Sequence, residues 1–111
     1  MNILIVEDDK GVALLFQFVL QGAGHTAQVW TSDFEAVAKV APWDLIDVVI
    51  ADQQLGEYDG KELLRWVSDN RPSVRRVMIT GSSLTNEIEA SADVVLIKPV
   101  SAGSILDSLS P

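Results

Sequence analysis

Apolar and polar positions along this chain alternate with two different periods, and the switches between them mark its elements. Ile3-Leu4-Ile5-Val6 is a short, unbroken, largely β-branched run with the look of a strand buried on both faces, and it meets acids at Glu7-Asp8-Asp9. From 9 to 21, Val12, Leu15, Phe16, Val19 and Leu20 recur on one helical face, and Gly22 and Gly24 end that segment. Thr26 to Trp30 predicts a second strand. Ser32 with Glu35 forms a capping-box pattern for a helix whose inner face is Phe34, Val37, Ala38 and Ala41, and Pro42 stops it. Residues 45 to 51 predict the third strand, closed by Asp52. A loop runs from there to Asp59, which with Glu62 caps a helix carrying Leu63, Leu64 and Val67. Pro72 ends that helical region. Val74 to Ile79 predicts the fourth strand, a short helical piece around Leu84 and Ile88 follows, and Asp93 to Ile97 predicts the fifth strand. The last helix starts near Ser101 and carries Ile105, Leu106 and Leu109.

Strands that alternate with helices in this way imply a single-domain, doubly wound α/β fold: a five-stranded parallel sheet with helices on both faces, because right-handed crossovers lay a helix layer on each side. Sites in such sheets lie beyond the carboxyl ends of the strands. Glu7 and Asp8 stand there after strand one, Asp52 after strand three, Thr80 after strand four and Lys98 after strand five.

Composition narrows the options. A chain of 111 residues forms one domain over 1–111, able to bury roughly two thirds of its unfolded surface without staples. The absence of cysteine removes disulfides, a thiol nucleophile and cysteine-based zinc sites. A net charge of −8 argues against sequence-independent nucleic-acid binding, which depends on basic groups neutralising phosphates. No basic leader segment opens the chain and no apolar stretch approaches the ~20 residues of a membrane span, so a cytoplasmic protein is expected.

Carboxylates converging from separate strand ends repel one another, and a hard divalent cation with oxygen ligands is the natural way to hold them together. Mg2+ suits this best, since it keeps open positions for phosphate oxygens. A hydroxyl and an ammonium added to that set suit phosphoryl transfer to aspartate: Asp52 as nucleophile, the metal and Lys98 neutralising the phosphoryl oxygens, and Thr80 donating a hydrogen bond. Gly81 is expected to keep the approach to Thr80 uncrowded.

These residues resemble the receiver domain of two-component response regulators. The matching pieces are Ile3 to Asp9, Asp52 followed by Tyr58-Asp59-Gly60, Ile79-Thr80-Gly81, and Lys98-Pro99, which together span nearly the whole chain. The resemblance implies the flavodoxin-like strand order 2-1-3-4-5. It also implies that Asp52 accepts a phosphoryl group from a histidine kinase, a phosphotransfer protein or a small phosphodonor. Asp8 and Asp52 would then ligate Mg2+ directly, the backbone carbonyl of Gln54 would complete the protein ligands, and Glu7 would act through water. A cis Lys98-Pro99 peptide, a downstream effector domain or partner protein, and dimerisation through the helix four, strand five and helix five face belong to the same expectation. Gln54 and Ser82 occupy positions that tune dephosphorylation in the family.

Departures from the family pattern are equally specific. Gly56 stands where a proline is usual, so the loop from Gln53 to Tyr58 is expected to be more mobile. Val95 replaces the usual switch aromatic. Only 18 positions separate Thr80 from Lys98, which shortens the fourth helix by about one turn. Two other functions stay open: a receiver-shaped interaction module whose output ignores phosphorylation, and an aspartate-nucleophile phosphatase of the haloacid dehalogenase type. Gln54 counts against the phosphatase, which needs an aspartate there. His25 and the arginines 71, 75 and 76 read as surface residues, and the three tryptophans as partly buried at element edges.

Overall fold

The computed structural model of the chain describes residues 1–30 and 33–111. In chain order the elements are β1 (Asn2–Val6), α1 (Lys10–Gly22), β2 (Thr26–Trp30), α2 (Phe34–Val40), a 3-10 turn (Trp43–Leu45), β3 (Val48–Asp52), β4 (Gln54–Leu55), β5 (Tyr58–Asp59), α3 (Gly60–Asn70), β6 (Arg75–Thr80), α4 (Asn86–Ser91), β7 (Val94–Ile97) and α5 (Ala102–Asp107). Five strands form a parallel sheet in the order β2-β1-β3-β6-β7, which is 2-1-3-4-5 when the sheet strands alone are counted.

Central strands are buried on both faces, and their alternate residues feed two separate cores. Ile3, Ile5, Val48, Ile50, Val77 and Ile79 pack with Ala13, Phe16 and Leu20 of α1 and Ile105 of α5. The intervening Leu4, Val6, Val49, Ala51 and Met78 pack with Val37, Leu63, Leu64, Val67 and Ile88 of α2, α3 and α4. This is the period-2 alternation of a strand read against two helix layers, and each of the Val, Leu, Ile, Phe and Met side chains among them contributes about 1.5–3 kcal/mol on burial.

Helix caps account for several boundaries. Asp9 accepts from the Val12 N–H at 3.1 Å and opens α1; Gly24, with φ +91°, lets the chain turn back into β2. The capping residue expected for α2, Ser32, lies outside the described residues. Within them Asp33 is the N-cap and accepts from the Ala36 N–H at 2.9 Å.

Four expectations need correction. Leu15 of α1 is 58 % exposed, because the buried stripe runs through Ala13, Phe16 and Leu20 and places Leu15 well round the helix. The third strand begins at Val48 rather than at 45, since Trp43–Leu45 forms the 3-10 turn. Trp43 is no edge residue: only 3 % exposed, it donates from its indole N–H to the Val37 carbonyl at 3.1 Å and packs on Trp66 with ring centres 5.7 Å apart. Arg75 and Arg76 are half-buried anchors rather than a solvated patch. Arg75 Nε donates to the Ser108 carbonyl and Arg76 Nη1 to the Ser91 carbonyl, each at 2.8 Å, and Arg76 Nη2 lies 3.5 Å from Asp93.

The loop after β3 is a small hairpin in which Gln54 pairs with Asp59 and Leu55 with Tyr58. Gly56, at φ +67°, takes the left-handed conformation that a tight hairpin turn of this hand requires at its first central position. The fourth helix is short, at six residues, and Leu84 lies before it on the surface.

Candidate functional site

Asp52 ends β3 with its side chain only 5 % exposed, and the neighbouring sheet strands bring two partners to it from far along the chain. Lys98 follows β7; its backbone N–H donates to the Thr80 carbonyl at 2.8 Å, and its Nζ reaches Asp52 Oδ2 at 2.7 Å. The hydrogen bond to Asp52, with the charge of that carboxylate behind it, raises the Lys98 pKa against the opposing effect of partial burial. Asp52 Oδ1 accepts from the Gln54 N–H at 3.2 Å, so both oxygens are held in place. The Lys98-Pro99 peptide is cis.

Glu7, at the end of β1, is 4 % exposed. Its Oε1 accepts from the Asp9 N–H at 3.0 Å, whereas Oε2 is buried without a hydrogen-bond partner. Burial, followed by the adjoining Asp52 carboxylate, pushes the Glu7 carboxyl up to about 7, against the downward pull of the Asp9 N–H and Lys98. Two ionised carboxylates have no donor between them, so this pair calls for either a shared proton or a cation. An orphaned buried oxygen beside a second carboxylate is an all-oxygen donor set, and it fits a hard divalent cation such as Mg2+.

Asp8 is not gathered with them in the same way. It is exposed and borders a cavity of about 600 Å³ walled by Gln53, Gln54 and the β4–β5 hairpin, while Asp52 opens on a neighbouring cavity of about 210 Å³ with Gly81, Ser82 and Lys98. A Cβ on Gly56 would come within 3.1 Å of Asp8 Oδ2, so the hairpin tip lies close against that carboxylate. Among the described residues no group of three or more His, Cys, Asp or Glu side chains is close enough to hold a metal. The structure brings Glu7, Asp52 and Lys98 together, and Asp8 borders the neighbouring cavity, which shares Gln53 and Gln54 with that of Asp52.

Thr80 ends β6 fully buried, and its hydroxyl is hydrogen-bonded to residues other than Asp52. It donates to Gln53 Oε1 at 2.5 Å and accepts from the Ser82 N–H at 3.0 Å. Gln53 is the residue that sequence reading missed. The available signal was an amide side chain immediately after a strand-end acid, but which partner it reaches depends on the β3–β6 pairing. Two glycines border the site. A Cβ on Gly81 would meet only Lys98 Cδ at 3.9 Å, and Gly81 lines the cavity on which Asp52 opens. Gly60 is the indispensable one: a Cβ there would lie 2.1 Å from the Asp52 carbonyl oxygen.

The geometry has clear counterparts among known proteins. The chain is 30 % identical over 113 residues to the transcriptional regulatory protein ZraR of Klebsiella oxytoca, a match that takes in 98 % of this chain but only 25 % of the regulator's length. A response regulator from Burkholderia pseudomallei, solved with a phosphorylated aspartic acid, calcium ion and citrate, superposes with a TM-score of 0.84 at 26 % identity, covering 98 % of this chain and 66 % of that one. A CheY-like receiver domain from Methylobacillus flagellatus gives 0.83 at 26 % identity, covering 99 % and 98 %. With the strand-end acids, the lysine and the sheet order in place, and the family model of the response regulator receiver domain matching residues 3–110, the chain belongs to the response regulator receiver domain family.

Proposed function

We propose that this domain accepts a phosphoryl group on Asp52 from a histidine kinase or a phosphotransfer protein, in a Mg2+-dependent reaction, and that phosphorylation switches its contacts with an effector domain or partner protein. The observation that carries this reading is the buried Asp52 carboxylate held between Lys98 Nζ at 2.7 Å and the Gln54 N–H at 3.2 Å.

In the transfer, a carboxylate oxygen of Asp52 attacks the donor phosphorus, and the bond from phosphorus to the leaving nitrogen or oxygen breaks with its electron pair on the leaving group. Bound Mg2+ supplies charge neutralisation for the carboxylates and the phosphoryl oxygens. Asp8, Asp52 and the Gln54 backbone carbonyl would hold it directly, and Glu7 through water. Lys98 would transfer its hydrogen bond from the carboxylate to a phosphoryl oxygen, and Thr80, once its hydroxyl leaves Gln53, would donate to another. The domain catalyses only its own phosphorylation and dephosphorylation. A cytoplasmic location belongs to the same proposal and rests on membership of the receiver family and the kinase donor it implies.

Intact mass before and after treatment with acetyl phosphate tests this. One phosphoryl adduct that needs Mg2+ and is absent in Asp52→Asn is the expected result; an equal adduct in Asp52→Asn would overturn the assignment. One structural feature favours a second reading, an interaction domain with phosphorylation-independent output. Val95, in place of an aromatic, is packed against the core, so no ring is present there to swing as the site fills. Partner binding that is identical for wild type and Asp52→Ala, with and without phosphodonor, would favour that reading.

A further inference from the structure

We propose that Gln53 is a latch on Thr80, and that phosphorylation of Asp52 opens it by claiming the Thr80 hydroxyl proton. The inference rests on Asp52 being the phosphoacceptor. A threonine hydroxyl has one proton to donate. Here it goes to Gln53 Oε1, so Thr80 cannot donate to a phosphoryl oxygen until that bond breaks. The Gln53 backbone cannot follow, because its N–H donates to the Ile79 carbonyl at 2.9 Å and its carbonyl accepts from the Gly60 N–H at 2.6 Å. Only the side chain is free to move, and it is half-buried between two elements.

The orientation of the amide is set by its other neighbour. Asp59 only accepts, so Gln53 Nε2 faces Asp59 Oδ2, at 3.4 Å, and the amide oxygen is left for Thr80. Asp59 is the N-cap of α3, holding the Lys61 N–H through Oδ1 at 2.8 Å. Lys61 Nζ lies 3.8 Å from Asp59 Oδ2 and 3.2 Å from Glu87 Oε2 in the first turn of α4. A released Gln53 amide therefore alters the company of the very carboxylate that caps α3 and faces the lysine bridging to α4. Val95 stands where a switch aromatic would, and the polar chain Thr80–Gln53–Asp59–Lys61–Glu87 provides a route that needs no ring.

The test is the rate of phosphoryl-adduct formation with acetyl phosphate and Mg2+, followed by intact mass in wild type, Gln53→Met, Thr80→Val and the double variant. Methionine keeps the length of glutamine and removes the acceptor. Loss of one neutral hydrogen bond from the resting state predicts adduct formation roughly two- to tenfold faster in Gln53→Met, and no acceleration by the same change in the Thr80→Val background. Equal rates for wild type and Gln53→Met, or the same acceleration with and without the Thr80 hydroxyl, would overturn the latch while leaving the phosphoacceptor assignment intact. Absence of any wild-type adduct would overturn both. Gln53→Ala repeats the comparison should methionine disturb the fold, as judged by thermal unfolding.

Discussion

Lys98 Nζ lies 2.7 Å from Asp52 Oδ2 although 46 positions separate the two residues in sequence. β3 and β7 are not even neighbours in the sheet; β6 lies between them, and the pair meets only because both chains run past its carboxyl end. Asp52 is almost fully buried and Lys98 is 43 % exposed, so solvent screens one partner and not the other. Lys98→Ala leaves the Asp52 carboxylate without its cation, and we expect a loss of about 1–2 kcal/mol in unfolding free energy at neutral pH without Mg2+, read by denaturant titration. Mg2+ should recover part of that loss, and phosphoryl uptake should fall further than Mg2+ affinity. A variant as stable as wild type would show that the ion pair contributes nothing to the fold.

Glu7 sets a pH dependence whose sign can be worked out. Its folded value, about 7, lies above the ordinary 4.5, so between those values the unfolded chain has released a proton that the folded one retains. Stability from this group is therefore fully present below about 4.5 and is lost as pH rises towards 7, after which it stays level. Glu7→Gln, whose amide can donate to Asp52, should abolish this decline and raise neutral-pH stability by an amount on the order of 2 kcal/mol. Denaturant midpoints at a series of pH values, with and without Mg2+, give the measurement. Parallel curves for the two proteins would refute it.

Gly60→Ala and Gly81→Ala should behave in opposite ways. The first presses a methyl group against the Asp52 carbonyl at 2.1 Å, and the backbone there cannot retreat because Gln53 is bonded on both sides. A destabilisation of about 2–3 kcal/mol and impaired phosphoryl uptake are expected. The second meets only Lys98 Cδ at 3.9 Å and should leave stability within about 0.5 kcal/mol. Thermal unfolding of both, side by side, decides the matter.

Arg76 ties the short α4 to the sheet through the Ser91 carbonyl and Asp93. Six residues make too few helical bonds to be stable alone, so its order comes from such anchors and from Ile88 in the core. Arg76→Ala should cost about 1–2 kcal/mol and selectively speed amide hydrogen exchange in residues 86–91. Unchanged exchange there would place the anchoring elsewhere.

Much of this was legible beforehand for a physical reason. Strand runs such as Ile3 to Val6 and Val48 to Ala51 carry their own burial signal, helix faces repeat their period locally, and caps such as Asp9 and Asp59 act within three residues of themselves. Errors arose where a residue's fate depended on what packs over it. Leu15 has helical spacing but falls off the buried stripe, Trp43 is internal because the 3-10 turn folds it beneath α2, and Arg75 and Arg76 find carbonyls more than a dozen positions away.

The order of periods along the chain and the residue types at each strand end determined the doubly wound sheet and the identities of Glu7, Asp52, Thr80 and Lys98, because both are local properties of sequence. Which of those groups touch was decided only by tertiary structure. Strand register set Lys98 on Asp52, burial against Asp52 left Glu7 with an unpartnered oxygen, and the hairpin after β3 put Asp8 beside a separate cavity. The Thr80 proton went to Gln53, since two side chains 27 positions apart were brought within one hydrogen bond. Side-chain direction and desolvation are properties of the packed whole, and no local pattern encodes them.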